Sequence, residues 1–126
     1  MALYIVAVGS NIQPEKHIEQ AFDLIKQMDA QADIATLLHT KAVGFTEQAD
    51  FINTAFSFSS SLDAVQLKTY LRDIEAKLGR VRTANKNGPR TIDLDIVKID
   101  RDIVDQDYFK YDFVKTAVDE LTARLN

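Results

Sequence analysis

Two carboxylates, Asp93 and Asp95, stand one residue apart inside an apolar run, and they are the first residues here whose types and spacing suggest chemistry. Successive side chains of a strand alternate between faces. Both acids therefore share a face with Val97, while Ile92, Leu94 and Ile96 fill a core from the other. Like charges at that spacing repel, and a hard divalent cation resolves the repulsion; Mg²⁺ takes a few carboxylates and completes its shell with water and phosphate oxygens. A wet, acidic sheet face accounts for the same pair, and an alternating strand often has one. The upstream segment argues for the cation. Residues 79–90 hold Arg80, Arg82, Lys86 and Arg90 and no acid, in a chain whose net charge is −4. Guanidinium forks match phosphate oxygens, so a cationic loop running into two carboxylates is the layout for a polyphosphate–Mg²⁺ complex.

Fewer signals surround this one. Gly9-Ser10-Asn11 follows an apolar run and offers backbone N–H groups to an anion or a ligand edge, although most such turns are only turns. Glu75, a few residues before the basic segment, either orients an arginine or a ligand or is an ordinary exposed helix acid. His17 and His39 have no metal-ligand spacing and read as structural or surface residues. The absence of cysteine excludes disulfides, thiolate zinc and a Cys nucleophile. It also fits a reducing compartment, so the expected location is the cytoplasm.

The elements that must position these groups follow from periodicity. Leu3 to Val8 is a β-prone run buried on both faces. Pro14 suits the first turn of a helix to about Ala30, with Ile18, Ala21, Phe22, Ile25 and Met28 at helical spacing. Ile34 to Thr40 reads as a second strand, Lys41 to Asp50 as a loop and Phe51 to Ser59 as an alternating strand. Leu67, Leu71, Ile74 and Leu78 mark a second helix, with Ser61 as N-cap and Gly79 as C-cap. A strand over 91–99, a short one near Ile103-Val104 and a terminal helix with Val114, Ala117, Val118, Leu121 and Leu125 on its apolar stripe complete the order. This is the α+β, ferredoxin-like βαββαβ arrangement, with an antiparallel sheet, helices on one face, a short extra strand and a C-terminal helix. At 126 residues and 46% apolar, residues 1–126 are expected to form one domain with its own core. Nineteen acidic against fifteen basic residues make it a poor general binder of nucleic acid or anionic membrane. The longest apolar run, Ala2 to Val8, is too short to span a membrane and lacks the basic start of a signal peptide.

The string Gly79-Arg80-Val81-Arg82, a short loop, then Gly88-Pro89-Arg90-Thr91-Ile92-Asp93-Leu94-Asp95-Ile96 resembles the 6-hydroxymethyl-7,8-dihydropterin pyrophosphokinase family of folate biosynthesis. Gly9-Ser10-Asn11, Asp50-Phe51-Ile52-Asn53 and Glu75 add to the resemblance, which covers roughly residues 3–104. It implies Mg²⁺-dependent transfer of the β,γ-pyrophosphoryl group of ATP to the pterin hydroxymethyl oxygen, with release of AMP. By the same resemblance Asp93 and Asp95 hold two Mg²⁺ ions, and Arg80, Arg82 and Arg90 engage the phosphates during transfer. Glu75, Lys86 and Ile96 complete the nucleotide site, and Thr40, Val43, Gly44, Phe51 and Asn53 form the pterin site. The implied partners are these small molecules, with a protein partner or a homodimer left open.

Some residues depart from the family pattern. Lys41 stands where a proline is usual, and Phe51 where a tyrosine is common. The family's later His-Pro segment, arginine and phenylalanine have no match, and the chain ends short of the usual length. Tyr108-Phe109-Lys110-Tyr111 takes their place, leaving Lys110 or Phe113 to substitute. The alternative is a non-catalytic paralogue that binds nucleotide or a protein partner. An RNA-binding module fits poorly, for want of the aromatic and basic strand signature.

Overall fold

The opening apolar run becomes β1 (Ala2–Ser10), the central strand of an antiparallel sheet in the computed structural model, which describes residues 1–41, 49–80 and 91–125. Helix α1 (Pro14–Met28) follows, then β2 (Asp33–Ile34), β3 (Leu38–Thr40), β4 (Phe51–Ser60), α2 (Ala64–Lys77), β5 (Asp93–Ile99), β6 (Asp102–Ile103), α3 (Asp107–Lys110) and α4 (Asp112–Leu125). β1 pairs with β4 from Ala2↔Ser60 to Ser10↔Ile52 and with β5 from Tyr4↔Ile99 to Gly9↔Asp93. β2 and β3 both pair with the outer edge of β4, and β6 with β5, for a sheet order β2-β4-β1-β5-β6 with β3 beside β4. The fold is α+β and ferredoxin-like, as the periodicity predicts.

Local chemistry explains where the elements start and stop. Pro14 occupies the first turn of α1, and Ile18, Ala21 and Ile25 are buried. The helix stops at Met28 because Asp29 turns extended and accepts hydrogen bonds from the N–H groups of Gln31 and Ser59, which hold its carboxyl below the usual range. The expected single strand over 34–40 is two short pieces. Between them the Thr36 N–H leaves the sheet and donates to Glu120 of α4. The N-cap of α2 is Asp63, not Ser61: its carboxylate accepts from the Gln66 N–H while the Gln66 side chain accepts from the Asp63 N–H, a reciprocal capping box. Gly79, at φ +89°, ends the helix. Its N–H bonds Ala76 O and the next N–H, of Arg80, bonds Glu75 O, the Schellman pattern that turns the chain back over the helix end.

The sheet is covered on both faces, which corrects the expectation of helices on one. On the first face Tyr4, Val6, Val8, Phe56, Ile92 and Leu94 meet the stripes of α1 and α2. Each large side chain buried there contributes roughly 1.5–3 kcal/mol relative to exposure. On the second face α4 lays Val114, Ala117, Val118 and Leu121 over Ile5, Ala55 and Val97. Val97 is the extra residue of a bulge, since Ile5 faces Lys98 while Val6 faces Ile96. The acidic face of β5 is therefore no free face: two residues beyond Asp95 it enters a core. Among the described residues no helix is long and apolar enough to cross a membrane.

Candidate active site

α4 begins only at Asp112, so its apolar stripe covers one half of its sheet face and does not lie over the C-terminal end of β1, the start of β4 or the start of β5. A cleft of about 200 Å³ opens there. Gly9, Phe51, Asn53, Asp93 and Asp95 line it from the sheet, and Asp107, Tyr111 and Phe113 from the α3–α4 segment. The strand register alone sets three of these side by side, since Gly9 faces Asn53 on one flank and Asp93 on the other. Gly9 leaves little room for a side chain: a Cβ there would sit 3.0 Å from Asn53 Oδ1, close enough to press on that amide. Asn53 donates from Nδ2 to Thr40 Oγ1, which ties β4 to β3 at the rim. The turn after β1 is pinned as well, with Ser10 Oγ donating to Thr91 O and Asn11 Nδ2 to Ala49 O.

Behind the acidic pair lies a charged lattice. Glu75 is only 2% exposed. Its Oε2 accepts from the Leu94 N–H at 2.8 Å and pairs with Arg72 and, at 3.5 Å, with Arg80. Arg72 reaches on to Asp95 Oδ1 at 3.0 Å and Leu94 O at 2.9 Å; Arg80 reaches Asp93 Oδ1 at 2.6 Å and Ile92 O at 3.1 Å. β6 pairs only with Lys98 and Ile99, so among the described residues the earlier part of this β5 edge has no strand beside it. Side chains of α2 and of the residue after its cap satisfy that edge instead. Of the roles left open for Glu75, the structure takes the orientation of arginines.

The electrostatics follow from this packing. Asp93 and Asp95, two residues apart on β5, both line the cleft. Burial and the Asp93 charge push Asp95 up to about 7, against the pull of Arg72, and 38% of its side chain still faces the cleft, so solvent tempers the push. Burial, then Asp105 and more weakly Asp93, also raise Asp107. Glu75 and Asp95 outweigh the effect of burial on Arg72 and hold its guanidinium above its ordinary pKa. Among the described residues no group of three or more ligating side chains is gathered closely enough to hold a metal ion alone. Two adjoining carboxylates with excess negative charge fit a Mg²⁺ ion that draws its remaining ligands from water and phosphate.

Of the residues singled out in the sequence, the structure brings Thr40, Phe51, Asn53, Asp93 and Asp95 to the cleft, with Glu75 and Arg80 directly behind it. Ile96 points the other way and packs on the α1–α2 core. Val43, Gly44, Arg82, Lys86 and Arg90 lie outside the described residues. His17 is buried, its Nδ1 2.5 Å from Ile12 O, and His39 is exposed on β3. Arg72 and Asp107 escaped the sequence reading, and Tyr111 entered it only as part of the segment that replaces the family's later stretch. Arg72 had a signal, since it precedes Glu75 by three residues on a helix and so shares its face. Asp107 had none, and only the fold of the α3–α4 segment brings it and Tyr111 to the strands. Phe113, a candidate substitute in the sequence, does line the cleft, with its ring stacked on Tyr111 at 5.3 Å.

The family model for 7,8-dihydro-6-hydroxymethylpterin-pyrophosphokinase matches residues 5–123. The chain is similar to the 2-amino-4-hydroxy-6-hydroxymethyldihydropteridine pyrophosphokinases of Bacillus subtilis (36% identical over 103 residues, 79% of this chain and 61% of the relative) and Campylobacter jejuni (37% over 110 residues, 79% and 68%). It is also similar to a folic acid synthesis protein of Pneumocystis carinii, 36% identical over 110 residues, which are 84% of this chain and 14% of that one. The chain thus spans about three fifths of the length of the Bacillus relative. With a match that runs from β1 into α4, the chain belongs to the 7,8-dihydro-6-hydroxymethylpterin-pyrophosphokinase family.

Proposed function

We propose that this chain is a one-domain, cytoplasmic pyrophosphokinase that moves the β,γ-pyrophosphoryl group of ATP to the hydroxymethyl oxygen of 6-hydroxymethyl-7,8-dihydropterin and releases AMP. The observation that carries the reading is that the acidic pair and an aromatic, amide-bearing pocket open into the same cleft. Phe51 and Phe113 supply apolar walls for a flat heterocycle, and the Asn53 amide supplies a donor and an acceptor for its polar edge. Asp93 and Asp95 would hold Mg²⁺, which when bound neutralises phosphate charge and makes the attacking hydroxyl more acidic. Arg80 steadies Asp93, and with Arg82, Lys86 and Arg90 of the same basic segment it provides cationic partners for the polyphosphate. Transfer of this kind depends on positioning and on charge neutralisation, so no strong protein base is required.

The test is AMP formation from ATP and the dihydropterin at millimolar Mg²⁺, with the pterin product identified by mass. Turnover that stops on chelation and is lost in Asp93→Ala supports the assignment. Binding of both substrates without AMP release rejects it.

A further inference from the structure

We propose that Arg72 is a positioning residue of the acidic pair: a built-in counter-ion that occupies one oxygen of Asp95, lowering the site's affinity for free metal while fixing the carboxylate for transfer. This rests on the reading of Asp93 and Asp95 as the metal-holding pair. Two observations support it. The guanidinium is shared between Glu75, the carbonyl of Leu94 and Asp95 Oδ1, so it is anchored from behind and from the backbone before it meets Asp95. Such a planar fork cannot follow Asp95 if that side chain rotates, so it holds one rotamer. Glu75 is buried at its other end and also carries Arg80, so the two arginines radiate from one anion, each to a different aspartate. The pair is thereby held as a unit with its spacing set from α2.

A fixed cation beside a metal site opposes a second cation and orients the ligand it touches. The two effects pull in opposite directions on measurable quantities, and that separates them from structural damage. In Arg72→Gln, a charge is withdrawn while a shorter polar side chain remains. Mn²⁺ titrated into the nucleotide-free protein by calorimetry should bind about ten-fold more tightly. The kcat for AMP formation should fall at least ten-fold, with the pterin KM within two-fold of the parent. Arg72→Lys keeps the charge without the fork; its Mn²⁺ affinity should stay within two-fold of the parent while kcat still falls about five-fold. Arg72→Gln that weakens Mn²⁺ binding together with its melting temperature overturns the proposal, as does Arg72→Lys with parental kcat. If Arg72→Gln yields no folded protein, the Arg72→Lys pair of measurements decides alone. A parent protein that binds Mn²⁺ but releases no AMP rejects the proposed reaction, and the Mn²⁺ titrations of the two variants still decide whether Arg72 is a counter-ion.

Discussion

The two faces of the sheet are built from the same strands and end differently. Under α1 and α2 the alternate residues of β1, β4 and β5 are covered from end to end by two long amphipathic helices. Under α4 only one half is covered, and the other half is where Gly9, Phe51, Asn53, Asp93 and Asp95 emerge. The closed face supplies stability and the half-open face supplies chemistry. A strand pair can do both because successive side chains point to opposite faces. β5 makes the point within seven residues: Leu94 is sealed in the first core, Val97 in the second, and Asp93 and Asp95 face the cleft between the cap of α4 and the strand ends.

Substitutions on the two faces should separate activity from folding. The largest effect is expected from Asp95→Ala, which removes one of the two carboxylates proposed to hold the metal. AMP formation should fall on the order of 10³-fold, about 4 kcal/mol of barrier, with little change in melting temperature. A melting temperature that collapses with the rate would mean that the half-open face is structural after all. The converse change is Ile25→Ala, at a fully buried position on α1. It should destabilise the fold by about 2–5 kcal/mol in denaturant titration and leave kcat per folded molecule near the parent value. Gly9→Ala is subtler, since its Cβ presses on the Asn53 amide oxygen beside the Phe51 ring. Pterin affinity, followed by ligand fluorescence, should weaken about ten-fold, near 1.4 kcal/mol, while Mn²⁺ binding is unchanged.

The smallest effect concerns charge. Asp95 is pushed up to about 7, above its unfolded value, so its ionisation opposes folding: stability is lost as pH rises from about 4 through 7. Asp95→Asn should therefore stabilise the metal-free protein at pH 8. The gain should be about 1 kcal/mol once solvent screening of this part-exposed side chain is allowed for. It should shrink as the pH falls toward 5. A gain that grows on acidification would reverse the sign and remove the repulsion argument.

Much of this was legible before folding. Period-two alternation placed Asp93 with Asp95, and Phe51 with Asn53, on shared faces, and the order of elements pointed to the ferredoxin-like sheet. The small errors at the element ends have one cause. Ser61, the end of α1 and the split second strand were each decided by a side chain reaching a backbone group: Gln66 at Asp63, Asp29 at Ser59, and Glu120 at Thr36. Only the last two span a distance in the chain that a local pattern cannot see.

Sequence by itself determined which side chains share a face and which segments are helix or strand, because those follow from backbone periods of two and 3.6 residues. It could also have paired Arg72 with Glu75, three residues apart on one helix. Tertiary structure alone decided that α4 crosses to the second face and stops half-way, and that Tyr111 and Phe113 meet Phe51 at one cleft. It alone brought Arg72 of α2 and Arg80 beyond the helix end to the edge of β5. These are contacts between residues a dozen or more positions apart, set by which buried surfaces fit one another and by the need to satisfy the backbone groups of Ile92 and Leu94, and no local repeat encodes either.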